Sequence, residues 1–200
     1  MVESERTGKS RFISGCGGCL TVLASLFVAL WIGWEMLRYQ NEQARIPANL
    51  TVEHKVYGEE KSFGFGGPGD AETGLAVYRL SKRDFDRLTS NSSSLIDDES
   101  IRETMGRRPG RHDYAAWHPT PFDPEFVGSP WDRSKYPVGS FDIGEFLWRD
   151  GAFGIEVDPI VARKVNRILN EPGAYYAEGR GSVLIIVAPE EAVVVFAYAG

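Results

Sequence analysis

The stretch Ser182-Val-Leu-Ile-Ile-Val-Ala-Pro-Glu-Glu-Ala-Val-Val-Val-Phe-Ala-Tyr-Ala199 decides the fold of this chain. It is apolar enough to be read as a membrane helix or as two buried strands. A membrane helix would place Pro189, Glu190 and Glu191 near mid-bilayer, at a cost of several kcal/mol. Val183–Val187 and Val193–Phe196 are instead runs of β-branched and other apolar residues, the pattern of strands buried on both faces. The expected strands are 182–188 and 192–199, with a turn at Pro189–Glu191.

Working outward from the hairpin, Ala174–Ala177 reads as a further strand, followed by a turn at Glu178–Gly181. Asp158-Pro159 supplies an N-cap and a proline at the first helical position. Ile160, Val161, Val165, Ile168 and Leu169 then form an apolar stripe opposite Arg163, Lys164 and Arg167, and Pro172-Gly173 stops the helix. Ala152–Val157 alternates like a strand. Further upstream, strands are expected over 50–57 and 75–80. Ser81 and Asp84 have capping-box spacing ahead of a helix over 82–88, and a second short helix is expected over 97–105.

Between them lies 106–141, with six of the chain's 11 prolines and, besides Phe141 at its end, the aromatic residues Tyr114, Trp117, Phe122, Phe126, Trp131 and Tyr136. Proline at that density excludes regular helix and central strand. The aromatics point to an ordered, irregular segment with its rings pinned into the core. Long loops of this kind are often functional.

At the other end, Phe12 to Trp34 is a run of 23 residues without a charge. As a helix it would span about 35 Å, against a bilayer core of about 30 Å. Trp31, Trp34 and Tyr39 cluster at one end, as interfacial aromatics do. Arg6, Lys9 and Arg11 precede the run and Arg38 and Arg45 follow it, a bias toward a cytoplasmic N-terminus. The bulky Trp31-Ile-Gly-Trp34 end argues against signal cleavage.

The expected organisation is a cytoplasmic tail (1–11), a single-pass transmembrane anchor (12–37), a juxtamembrane helix and linker (38–48) and an extracytoplasmic domain (49–200). The fold class expected for that domain is α+β, with a mainly antiparallel sheet, the C-terminal β-hairpin at its centre and two or three helices. The expected localisation is the cell membrane, with a periplasmic-type soluble domain.

Cys16-Gly-Gly-Cys19 has redox spacing. It lies inside the membrane run, where Gly15, Gly18 and Cys19 read better as a small-residue surface for helix–helix dimerisation. No cysteine follows residue 19, so the domain must fold without disulfides, which its size allows. Residues 1–45 hold five of the 22 Lys/Arg and four of the 28 Asp/Glu, leaving 17 against 24 and a net charge of −7 beyond them. That balance argues against a nucleic-acid partner.

Gly64-Phe-Gly-Gly-Pro-Gly69 matches the dinucleotide pattern, but Asp70 and Glu72 follow and would repel phosphate. It reads instead as a glycine-rich loop, Ser62–Gly74, able to contact a partner. Arg107, Arg108, Arg111, His112, Trp117 and His118 form the densest polar and aromatic cluster and are the candidate binding residues. Two histidines with Asp113 lack the spacing of a metal site. Carboxylate pairs such as Glu59-Glu60 and Glu190-Glu191 are adjacent in sequence and do not face one another across a cleft. No catalytic residue, metal or cofactor is expected. The leading expectation is a membrane-tethered interaction or assembly module. The alternative is a small exported ligand binder or enzyme with its site under 106–141.

Overall fold

The structure is a computed structural model that describes residues 11–47, 49–63, 71–90, 114, 116–125, 137–148, 154–179 and 182–199. The chain divides after Gln43 into two units. The first contains helix α1, Arg11–Ala44, 34 residues long. It covers the uncharged run and ends before Pro47, where a pre-proline residue is driven out of helical geometry. From Thr21 onward its apolar side chains are exposed, including Leu26, Phe27, Val28, Leu30 and Trp31, which point to every side of the helix. Among the described residues no helix is long and apolar enough to cross a membrane. The crossing expected at 12–37 therefore gains no support here, and the side chains of Phe12–Leu20 and the Cys16–Cys19 face lie outside those described.

The second unit is the expected α+β domain. Its elements in chain order are β1 (Val52–Phe63), β2 (Ala71–Leu80), α2 (Lys82–Ser90), β3 (His118–Pro119), α3 (Ile143–Leu147), α4 (Pro159–Asn170), β4 (Tyr175–Gly179), β5 (Val183–Ala188) and β6 (Val193–Ala199). All pairings are antiparallel, in the order β1-β2-β6-β5-β4-β3. The C-terminal hairpin is central, as its doubly apolar strands require, and every residue of β5 is buried. Ala192, at φ 52°, closes its turn by donating its N–H to the Pro189 carbonyl.

The sheet has a core on each face. On one, Val77, Leu184, Ile186 and Val195 meet Phe122, Phe141, α3 and the α4 residues Val165, Ile168 and Leu169. On the other, Tyr78, Ile185, Val194 and Phe196 meet Ile46, Leu50, Leu88, Tyr114 and Trp117. Two asparagines of α4 tie the irregular segment to the first face. Asn170 accepts from Phe141 N at 2.7 Å and donates to its carbonyl at 2.9 Å, while Asn166 accepts from Ile143 N at 2.8 Å. Asp158 caps α4 by accepting from Ile160 N at 2.7 Å.

Several expectations need correction. β1 and β2 are longer than 50–57 and 75–80, so Ser62, Phe63 and Ala71–Gly74 belong to strands rather than to a glycine-rich loop. The ladder between them satisfies the backbone whatever the side chains, and Glu59, Glu60, Lys61 and Ser62 of the outer strand are polar and exposed. Residues 154–158 form no strand, although Ile155 is buried. Period-2 alternation describes any extended segment with one inward side chain. Ile160 is 69% exposed and leaves the apolar stripe. At 100° per residue it points well over 90° from the centre of the Val161–Val165–Ile168–Leu169 face. In the 82–90 helix, Ser81 Oγ accepts from Asp84 N at 3.2 Å as a capping box requires, but the Asp84 carboxylate accepts from Thr51 N at 2.8 Å. The helix expected over 97–105 lies outside the described residues.

Candidate functional site

Of the six candidate binding residues, the structure describes two. Trp117 and His118 sit at the start of the short edge strand β3, and successive residues of an extended chain face opposite ways. Trp117 is buried in the core with Tyr114 and Tyr175. Its indole Nε1 has no hydrogen-bond partner among the described residues. His118 is half-buried on the opposite side, its ring centroid 5.7 Å from that of Tyr176. Burial holds its pKa below the usual histidine value, against the opposing pull of Asp123. The two therefore do not converge. Arg107, Arg108, Arg111 and His112 lie outside the described residues.

Tyr176 explains the shape around His118. Its hydroxyl accepts from Asp123 N at 3.0 Å and donates to the Asp123 carbonyl at 3.2 Å. Thr120 N and the Ala174 carbonyl add a bond at 2.9 Å. The proline-rich segment is thus clasped to β4 through its backbone. Tyr114, Trp117 and Phe122 are buried as rings pinned into the core.

The most organised charged group was not anticipated. Arg45, the first residue after α1, lies within the second unit. Its Nη2 is 3.1 Å from Glu60 Oε1. Its guanidinium carbon stands 5.6 Å from the Phe196 ring centroid and 5.2 Å from that of Tyr198, cation–π range. Tyr114 donates its hydroxyl to the Arg45 carbonyl at 2.5 Å. Burial works against the Arg45 charge, but the Glu60 hydrogen bond and the surrounding groups outweigh it and the pKa lies above the usual value. Burial likewise pushes Glu60 up, and Tyr198 and Arg45 beside it bring the net shift below the usual carboxylate range. The Tyr198 hydroxyl lies close enough to Glu60 to feel its charge, yet makes no hydrogen bond of good geometry. Gly74 makes room for this cluster: a Cβ there would meet the Tyr198 ring at 2.5 Å.

The Arg45 guanidinium is matched by a carboxylate and faced by two rings of its own domain. The cluster works as a clasp that seats the chain entering the domain, with Ile46 buried directly after it. Sequence reading counted Arg45 only as a charge flanking the anchor. Nothing local links it to Glu60, 15 residues on, or to the rings of β6.

The described surface also holds a shallow cleft of about 190 Å³ between the end of α4 and the β5–β6 turn, lined by Arg167, Glu171, Gly173, Glu190 and Glu191 among others. Arg167 in its wall pairs with Glu191, and Lys164, outside the cleft, meets the same carboxylate at 2.8 Å. The last open feature is the outer edge of β1. β1 ends the sheet, and among the described residues no strand pairs with its outer side. Comparison with known proteins found no matching family model, no matching curated protein and no matching solved structure.

Proposed function

We propose that this chain is a membrane-tethered interaction or assembly module, with α1 as anchor and the α+β domain as the part that meets a protein partner. The observation that carries the reading is the all-round exposure of apolar side chains on α1, from Val22 to Leu37. A helix that is apolar on every face is covered by lipid or protein rather than by water. The uncharged run of 23 residues has spanning length. The flanking Arg and Lys favour a cytoplasmic N-terminus and an extracytoplasmic domain.

The domain begins directly after α1 in the chain, with Arg45 and Ile46 already packed within it. Fractionation of the full chain tests the anchor. The protein is expected in membranes after an alkaline wash, and Leu26→Arg with Leu30→Arg should release it. Recovery of the unaltered chain as a soluble protein would sink the tether. Mild crosslinking tests the module: a domain that links to no protein at all counts against it.

A second reading, a ligand-binding site under 106–141, is favoured by His118, half-buried beside Tyr176 with its pKa held below the usual value by burial. It requires Arg111, His112 and His118 to act together. A folded Arg111→Ala/His112→Ala/His118→Ala variant with an unchanged cellular phenotype would remove it.

A further inference from the structure

We infer that the open edge of β1 pairs with the same edge of a second copy, in antiparallel register centred on Glu60. The inference names the partner within the interaction reading and rests on that reading.

The first half of β1 cannot serve. Its register against β2 slips between Val52 and Lys55 and again between Lys55 and Tyr57. Such bulges twist a strand and spoil its outer edge for pairing. From Tyr57 to Phe63 the ladder is regular, each residue opposite one partner in β2. That leaves seven consecutive residues with an intact edge, Tyr57-Gly-Glu-Glu-Lys-Ser-Phe63.

Two identical antiparallel strands are related by a two-fold axis perpendicular to the sheet. Residues opposite each other then lie on the same face, and the axis must pass through one residue and its copy. This restricts the registers to centres on a single residue. Only the centre at Glu60 pairs the whole regular run. It sets Tyr57 opposite Phe63, Gly58 opposite Ser62 and Glu59 opposite Lys61 of the second copy. Within the regular run it is also the sole permitted register that brings opposite charges together, and symmetry makes the Glu59–Lys61 pair twice. Glu59 and Lys61 share a face, since they oppose Leu75 and Thr73 of β2, and both are exposed.

Glu60 would face its own copy on the axis. It lies on the other face, opposite Gly74, where each copy's Arg45 stands 3.1 Å from it. That like-charge contact is therefore neutralised within each chain. A seven-residue strand pair alone buries less than a stable soluble dimer needs. Confinement of both copies to one membrane raises their effective concentration.

The test uses the full chain in a mild detergent, with Cys16→Ser and Cys19→Ser as background. Glu60→Cys is expected to form an interchain disulfide on mild oxidation, because residues on the axis oppose each other directly. Ser62→Cys should not, since its copy lies four residues away along the ladder. Glu59→Lys alone and Lys61→Glu alone should each weaken dimerisation roughly tenfold by turning two attractions into repulsions, and the double swap should restore it. Both positions are exposed, so the swap remains decisive if Glu60→Cys disturbs Arg45 and misfolds. A chain that stays monomeric, or a double swap that fails to rescue, overturns the inference. Equal crosslinking at positions 60 and 62 also overturns it. If the monomeric chain still crosslinks to a different protein, the interaction reading survives without this partner.

Discussion

Gly74→Ala should destabilise the domain even though replacing a strand glycine ordinarily helps. Gly in a strand interior costs roughly 0.5–1 kcal/mol relative to Ala, so the default expectation is a gain. At residue 74 the new methyl would sit 2.5–2.6 Å from the Cε1, Cζ and Oη atoms of Tyr198. The ring must swing away. It then loses its tilted contact with Phe196, at 5.5 Å between centroids, and its place over Arg45. An aromatic pair contributes about 0.5–1.5 kcal/mol and a partly exposed cation–π contact about 0.5–1. Residual overpacking adds to this, so after subtracting the propensity gain the net loss is about 1–2 kcal/mol. For a domain of this size that lowers Tm by about 2–8 °C. Gly58→Ala is the control. Its Cβ would meet the flexible Lys55 chain at 3.1 Å, which can move aside, so stability should hold or rise. Circular dichroism melts of the detergent-solubilised chain read both. Adding Tyr198→Ala to Gly74→Ala should cost less than the separate effects predict. A Gly74→Ala chain as stable as Gly58→Ala would refute this account of the cluster.

Asn170→Ala should cost about 2–3 kcal/mol in urea unfolding, because it removes two half-buried bonds that hold Phe141 onto α4. Tyr176→Phe should cost about 1–3 kcal/mol, since it leaves the Asp123 N–H and carbonyl without the buried hydroxyl. His118 has a folded-state pKa below its ordinary value of 6.5. The unfolded chain then binds the proton more tightly, so stability should fall as pH drops through and below 6.5. His118→Gln should flatten that part of the profile in melts between pH 7.5 and 5.5. Asp158→Ala should cost about 1 kcal/mol by removing the α4 cap.

The elements that sequence reading located well are those specified by local chemistry. Asp158-Pro159 and Pro172-Gly173 bracket α4 because capping and proline sterics act within a turn. The β5–β6 hairpin was legible because only a central position buries both faces of Val183–Val187 and Val193–Phe196. The lengths of β1 and β2 were not legible. Glu59, Glu60, Lys61 and Ser62 carry no strand preference and are extended only because the ladder to β2 satisfies their backbone. The exposure of Ile160, by contrast, follows from the 100° step of the helix, which turns it away from the Val161–Val165–Ile168–Leu169 face.

The candidate site shows the same division. The prolines and aromatics of 106–141 led to the expectation of rings pinned into the core, and Tyr114, Trp117 and Phe122 are buried there, while Phe126, Trp131 and Tyr136 lie outside the described residues. Sequence could not show that Trp117 and His118 face opposite ways, since that depends on how β3 docks beside β4. It could not show the Arg45 clasp, whose members come from the residue after α1, from β1 and from β6. The sequence by itself determined a charge-free run of 23 residues near the N-terminus, an α+β class, a central hairpin and a domain without cysteines, because each follows from composition or from neighbours within a few residues. Tertiary structure alone decided which charges are neutralised internally, where a glycine is required by a ring from another strand, and which sheet edge has no strand beside it among the described residues. Those outcomes depend on contacts between residues far apart in the chain, and no local pattern encodes them.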